Sequence, residues 1–567
     1  MGLTNSLAIG RSGLLAAQTA LQVTGNNLAN SANPDYRRQR VSLATNPDTP
    51  IGNNLFVGTG VQITDISRRV DEALEARLRS ANADASGSQA LADALAQIES
   101  IQNELSGIDL STKLGDFFNA WNDITANPQD LSLRTLAVEE ARALTLFVND
   151  IRTGLGDIQK QTDDRARNTA GGINDLLDRI AQANRAIVLA EGGQAGEASG
   201  LRDNRDALLT ELSQFLDIST FEQATGSVDV FVGSTPLILN STSRGVELES
   251  FADDGEINIR LIITEDRSEV DTSTGELGEL VKFRKGDLQD AIDAIDQLSN
   301  ALIFEVNKIH SQSQGLVYFD SVEGTNRVPD PTLALDDPTL ELGFTPINGS
   351  FKINLNQAST GQRTTFNIDV DLDGIGTDTT LNSLIADINA IAGVTASITP
   401  DGRLALASDS SDFQLSFSDD TSGVLATLGV NTFFTGDDAF DISINDAVVG
   451  DPRFVAAGQN HLFGDNAGAL GIAGLRDAPV EDLQGLSLTQ AWNRHIEDFA
   501  IRNAQAQDGA IADQVVVNNL AEQQAAISGV NSDEETINLI QYQRMFQASA
   551  RFISVVDELT QTLLNIV

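Results

Sequence analysis

The chain has 567 residues, with 36 Lys and Arg against 81 Asp and Glu and a net charge of −45. It is 41% apolar, enough to fill the cores of several domains, while its charge opposes binding to nucleic acid or an anionic membrane surface. No cysteine is present, which excludes disulfides and thiolate metal sites, and His310, His461 and His495 lack ligand spacing. No apolar run is long enough to span a bilayer and no Sec-type leader is visible, which leaves as expectations the cytoplasm or export by a route that reads an uncleaved terminus.

The first forty residues set the organisation. Leu3, Leu7, Gly10, Leu14, Ala17, Leu21, Thr24 and Leu28 step by four and three, the spacing of a helical seam that packs lengthwise on another helix. The far end repeats the pattern through Leu539, Tyr542, Phe546, Ser549, Ile553, Val556, Thr560, Leu563 and Val567. Two such seams predict a terminal coiled coil. Their small residues allow close approach but bury little area, so the ends are expected to be disordered in a lone chain and to order in an assembly.

After the first helix, the Asn-rich run from Asn26 to Asn33-Pro34 predicts a stop, and Val41 to Ile66 alternates as one or two hairpins. Arg68 to Leu216 reads as long helices, broken at Asn127-Pro128 and at Glu191-Gly192-Gly193. Asp203, Arg205 and Asp206 fall on a polar side and Asn174 on a solvent face. Short alternating runs follow from Ile218 to Leu280, then a helix from Gly286 to His310 and a Pro- and Asp-rich linker. Ser350 to Gly436 reads as strand, turn, helix and further strands. Helix resumes from Leu483, interrupted at Gly529–Asn531, where Ser532 and Glu535 form a capping-box pattern.

The expected fold class is multidomain α+β, with long terminal helices pairing as a coiled coil, a helical bundle and inserted β-rich domains. Residues 1–66 and 525–567 form the terminal assembly domain, and 67–217, 281–320 and 470–524 the bundle. Residues 218–280 make a small β domain and 321–469 a variable insertion, whose α+β module, 350–436, is expected to be removable without loss of assembly.

The motifs then resemble a known family. Asn26, Asn27, Leu28, Ala29 and Asn30, followed by Pro34, Tyr36, Arg38 and Gln39, resemble the N-terminal motif of flagellar axial proteins in its junction form. Gly58-Thr59-Gly60-Val61, Phe117-Phe118-Asn119-Ala120, Arg134 and Gly275-Glu276-Leu277-Gly278 match in order. The closing run is the most specific, with Gly529, Asn531, Glu534, Gln543, Ala548 and Arg551. Together they resemble the flagellar hook-associated protein 1 family, the first junction protein between hook and filament. The resemblance implies a secreted, extracellular structural protein without catalysis or cofactor, exported by the flagellar type III apparatus. It implies a ring of copies, hook protein on one side and the second junction protein on the filament side, and an export chaperone on the C-terminal helix. The alternative is a junction protein whose outer insertion, about 340–440, is also an extracellular binding or hydrolytic module.

Two clusters carry chemistry on paper. Asp369, Asp371, Asp373 and Gly374 imitate the start of a calcium loop, but Thr380 stands where the bidentate Glu belongs, so a hairpin turn is the expected reading. Arg37, Arg38 and Arg40 are the one basic cluster, expected to pack on acidic neighbouring subunits. No catalytic motif is present.

Overall fold

The computed structural model describes residues 3–52, 55–102, 109–192, 198–253, 256–460, 462 and 464–566. Two compact units emerge. The first joins Met1–Ala94, Thr162–Lys285 and Ala504–Val567; the second joins Leu95–Gln161 and Gly286–Asn503. Among the described residues, no helix is long and apolar enough to cross a membrane.

The first unit holds the chain ends. A helix of 27 residues, Leu3–Ala29, stops just before Asn33-Pro34 and lies on the C-terminal helix, Ser532–Ile566. Gln39–Thr45 then pairs antiparallel with Val61–Arg68, with a smaller hairpin, Thr49–Gly52 and Leu55–Val57, between them. Helix Glu72–Gln102 contributes Leu74, Leu78 and Ala81 to a core with Leu520 of helix Leu488–Ser528. Around the end of the 60-residue helix Leu131–Ala190, a four-stranded sheet and the ribbon Val246–Asp253/Glu256–Ile263 share one core. Ile173, Leu177, Leu212, Val230 and Ile238 are at its centre. Residues Glu276–Lys285, partly within the expected β segment, are helical.

Three expectations change here. Asp203 and Arg205 are buried rather than lined up on a polar side. Arg68 reaches Asp203 at 2.9 Å and Asp206 at 2.7 Å, and Arg205 reaches Asp206 at 3.0 Å. Burial alone would raise the Asp206 pKa, but the Arg205 and Arg68 guanidiniums outweigh it and hold the carboxyl below its ordinary value. Asn174 is a clamp rather than a solvent-facing residue: its amide donates to the Val246 carbonyl and accepts from the Val246 N–H, each at 2.8 Å. The last helix is capped by Asn531, whose Oδ1 accepts from the N–H groups of Asp533 and Glu534 at 2.9 and 3.3 Å. Glu535 is turned away from the helix start to other partners, so the capping box anticipated at Ser532 does not form.

The second unit is built on aromatic side chains. Phe117, Phe118 and Trp121 project from helix Leu110–Ala126, which Asp109 caps through the Thr112 N–H at 2.7 Å. Phe433 packs edge-on to Trp121 with ring centres 5.2 Å apart, and Phe434 lies 5.6 Å from Phe117. The insertion has its own core between two three-stranded sheets and helix Leu381–Asn389, around Phe351, Leu384, Leu406 and Phe417. Its strand Leu404–Ser408 pairs with Ser321–Glu323, outside the 350–436 segment. That segment also supplies Phe433 and Phe434 to the helical core, so removing it is not a clean excision.

Candidate functional site

The residues that carry the sequence motifs meet where the first helix ends and the last begins. Asn27 is buried there, although its amide is polar. Its Nδ2 donates to the Gln39 carbonyl at 2.9 Å and to Glu535 Oε2 at 3.0 Å. Its Oδ1 accepts from the Gln39 N–H at 3.0 Å and the Tyr36 hydroxyl at 2.8 Å. Both donors and both acceptors of one side chain are thus used, which is what burial of an amide demands.

The loop is fastened a second time through Arg38. Its guanidinium reaches Glu534 and Glu535, each at 2.7 Å, and its N–H donates to the Ser528 carbonyl at 2.9 Å. Burial alone would lower the Arg38 pKa, but the two glutamates outweigh it and raise it. The Tyr36 hydroxyl is pushed up to about 12 by burial and by the negative charges of Asp203 and Glu535. Asn26 donates to that hydroxyl at 3.2 Å, and Asn30 donates back to the Asn26 carbonyl at 2.9 Å. The Pro34 carbonyl accepts from Arg37 at 2.9 Å, and Arg37 also pairs with Glu75 at 3.2 Å. Arg37 and Arg38 are therefore satisfied within the chain, contrary to the expectation that the basic cluster serves neighbours; Arg40 has no ion pair among the described residues. Of the closing motif, Gly529 and Asn531 shape the turn, while Gln543, Ala548 and Arg551 stay exposed.

Beyond this clamp the two helices run together on small residues. A Cβ at Gly10 would stand 2.7 Å from Ile553 Cγ1, and one at Gly13 would stand 2.8 Å from Ser549 Oγ. Only hydrogen side chains permit that approach. The buried positions of the first helix are Gly10, Ala16, Ala17, Ala20, Thr24 and Asn27. Leu3, Leu14 and Leu21 are half-buried, while Leu7 and Leu28 are 37% and 38% exposed. The buried arc is thus rotated from the leucine ladder, because the helix also packs on the hairpin, where Ser12 Oγ accepts from the Val61 N–H at 3.2 Å. Periodicity assumes one partner, and this helix has two.

On the last helix Val556 is buried, Leu539, Tyr542, Phe546 and Ile553 are half-buried, and Leu563 is 52% exposed. Val567 lies outside the described residues. Further apolar side chains of this helix, Ile537, Ile540, Val555, Leu559 and Leu563, are exposed. Several large apolar side chains left uncovered on one helix suit a contact surface. The two helices are paired within one chain, unlike the expectation of disordered ends, but they cover only part of their apolar surface.

The acidic turn gathers differently from the sequence pattern. Carboxylate oxygens of Asp371, Asp373 and Asp378 lie within 4.8 Å of one another. Asp369 instead accepts from Asn367 at 2.6 Å, and Thr380 caps helix Leu381–Asn389 through the Ser383 N–H at 3.1 Å. Asp373 and Asp378 accept N–H groups of their own loop, from Ile375 and Gly374 at 2.8 and 3.1 Å, as in a turn. His310 is a packed core residue: one ring nitrogen accepts from the Ala456 N–H and the other bonds the Asn431 carbonyl, each at 2.8 Å. His495 lies 3.0 Å from Gln102 Nε2, and His461 lies outside the described residues.

The chain thus pairs its two terminal helices and carries a series of inserted domains between them. Residues 523–566 match the family model described as flagellar basal body rod FlgEFG protein C-terminal, and 350–410 match the flagellin hook IN motif. Residues 95–321 match the model described as flagellar hook-associated protein FlgK helical domain. Flagellar hook-associated protein 1 of Escherichia coli strain K12 is 27% identical over 576 residues, covering 98% of both chains. That of Bacillus subtilis strain 168 is 31% identical over 227 residues, 39% of this chain and 44% of the relative. The solved structure of the flagellar hook junction protein FlgK from Burkholderia pseudomallei shares the fold, with a TM-score of 0.50 at 16% identity, covering 80% of this chain and 100% of that one. The chain is thus similar along nearly its whole length to flagellar hook-associated protein 1.

Proposed function

We propose that the chain is a structural subunit of the flagellar hook–filament junction, assembled as a ring of identical copies with hook protein on one side and the second junction protein on the other. The reading rests on similarity to flagellar hook-associated protein 1, and the observation that carries its mechanism is the terminal pair. Two helices fastened at Asn27 and Arg38 present exposed apolar side chains that a single chain does not cover. Neighbouring copies in the ring bury those side chains, and the repeated contact turns a marginal pair into a stable wall. No catalytic step belongs to this reading.

Before assembly the same side chains need cover, which makes the C-terminal helix the place for an export chaperone. The chain leaves the cell through the flagellar type III apparatus and works outside it. A strain lacking the gene should make hooks without filaments and shed flagellin into the medium, and the gene restored on a plasmid should reverse both. Filaments of normal number on the deletion strain would overturn the junction role. A binding or hydrolytic role for 340–440 gains no support from the residues described there.

A further inference from the structure

Beside the clamp lies a cavity of about 280 Å³, walled by Arg38, Arg40 and Arg69 together with Glu534, Glu535 and Asn27. Three guanidiniums converge there for a structural reason. Arg38 and Arg40 stand two residues apart and so share one side of the chain as it enters strand Gln39–Thr45, and Arg69 joins them through its N–H on the Arg38 carbonyl at 2.9 Å.

The charges do not balance. Both glutamates are engaged by Arg38, while Arg40 and Arg69 are exposed and make no ion pair among the described residues. Nearby Arg37 and Arg68 each have a carboxylate of the same chain. In a chain with 81 acidic residues and 36 basic ones, two exposed arginines without a carboxylate partner among the described residues offer an anion a ready site. Leu28 and Ile537, adjacent in the chain to the lining residues Asn27 and Asn538, are exposed. A polar cavity on helices that also carry uncovered apolar side chains has the make-up of a protein interface.

We infer that this cavity receives a carboxylate side chain from a second copy of this chain, held between Arg40 and Arg69. The inference rests on the ring proposed above. The copy is favoured as occupant because its own surface carries a large excess of carboxylates, so charge complementarity is met by self-association. The entering group makes forked bonds that lysine cannot reproduce.

The test uses the full-length chain in a strain lacking the native gene. Wild type, Arg40→Glu/Arg69→Glu and Arg40→Gln/Arg69→Gln are compared for secretion, melting of the purified protein and filaments per cell. The proposal expects unchanged secretion and melting, with filament number reduced about tenfold or more by reversal and less by neutralisation. Full filament number on the reversed variant overturns the cavity while leaving the junction role intact; failure of wild type to restore filaments overturns the junction role itself. A photo-crosslinking residue at position 40, placed in assembled flagella, should capture an acidic peptide of the same chain. Capture of another flagellar protein alone, or of no peptide, overturns the occupant. If reversal lowers the melting temperature, the crosslink decides.

Discussion

Asn27 and Glu535 are 508 positions apart in the chain and share a hydrogen bond of 3.0 Å. Glu535 also receives Arg38, so one buried carboxylate joins the end of the first helix, the following loop and the start of the last helix. Further along, the two helices approach each other through small residues, Gly10 against Ile553 and Gly13 against Ser549.

Asn27→Ala should loosen this junction. It removes the side-chain partner of the Gln39 peptide groups and of one Glu535 oxygen, Glu535 keeping Arg38, and a lost hydrogen bond of this kind typically costs about 1–3 kcal/mol. Hydrogen exchange should quicken around residues 20–40 and 530–545, while the aromatic core of the second unit keeps its protection. Unchanged exchange at both ends would show that the clamp is dispensable.

Gly10→Val should push the helices apart, since its Cβ would stand 2.7 Å from Ile553 Cγ1. Overpacking of this kind costs about 1–3 kcal/mol. Cells carrying it should lose filaments, and adding Ile553→Ala should restore part of them by making room. An additive double variant would mean that the two residues do not meet in the assembled state.

Leu14→Asp and Ile553→Asp place a carboxylate on half-buried positions of the pair, whereas Asn168→Asp adds the same charge on an exposed helical position. Asn174 is unsuitable as the control because it clamps Val246. Secretion should persist for all three. Filament growth should fail for the first two and be normal for the third, because surface changes usually stay within about 0.5 kcal/mol.

Deleting 350–436 should destabilise the second unit. The cut removes Phe433 and Phe434 from contact with Phe117 and takes Asn431 from His310. Loss of several large core side chains costs about 3–5 kcal/mol each. The expected result is poor recovery of soluble protein, and a deletion protein that melts like wild type would place those residues outside the core.

The pH dependence of stability should carry the mark of His310. Full burial and the nearby Arg134 charge push its pKa down to about 4, against a partial upward pull from the Asn431 carbonyl. A depressed pKa means that the unfolded chain takes up the proton first, so this stability is present above about pH 6.5 and lost as pH falls toward 4. The full effect is about 3 kcal/mol. Melting followed between pH 7 and 4 should show a shallower loss in His310→Gln than in wild type, and equal slopes would rule the effect out.

The sequence alone determined the class of molecule. The four-three ladders at both ends, the stop at Asn33-Pro34, the break at Gly529–Asn531 and the ordered motif residues were all legible, because helix periodicity and turn chemistry are local. The alternation of strand, turn and helix through the insertion was legible for the same reason. Tertiary structure decided what each motif residue touches. Nothing local says that Asn27 meets Glu535, that Arg37 meets Glu75, or that Asn174 faces a backbone 72 residues away. Nor does a ladder reveal a second partner: the hairpin turned the buried arc toward Ala16 and Ala20 and left Leu7 and Leu28 exposed. A repeating pattern records that a face will be covered, and only the assembled chain fixes what covers it, because burial depends on residues that sequence distance does not relate.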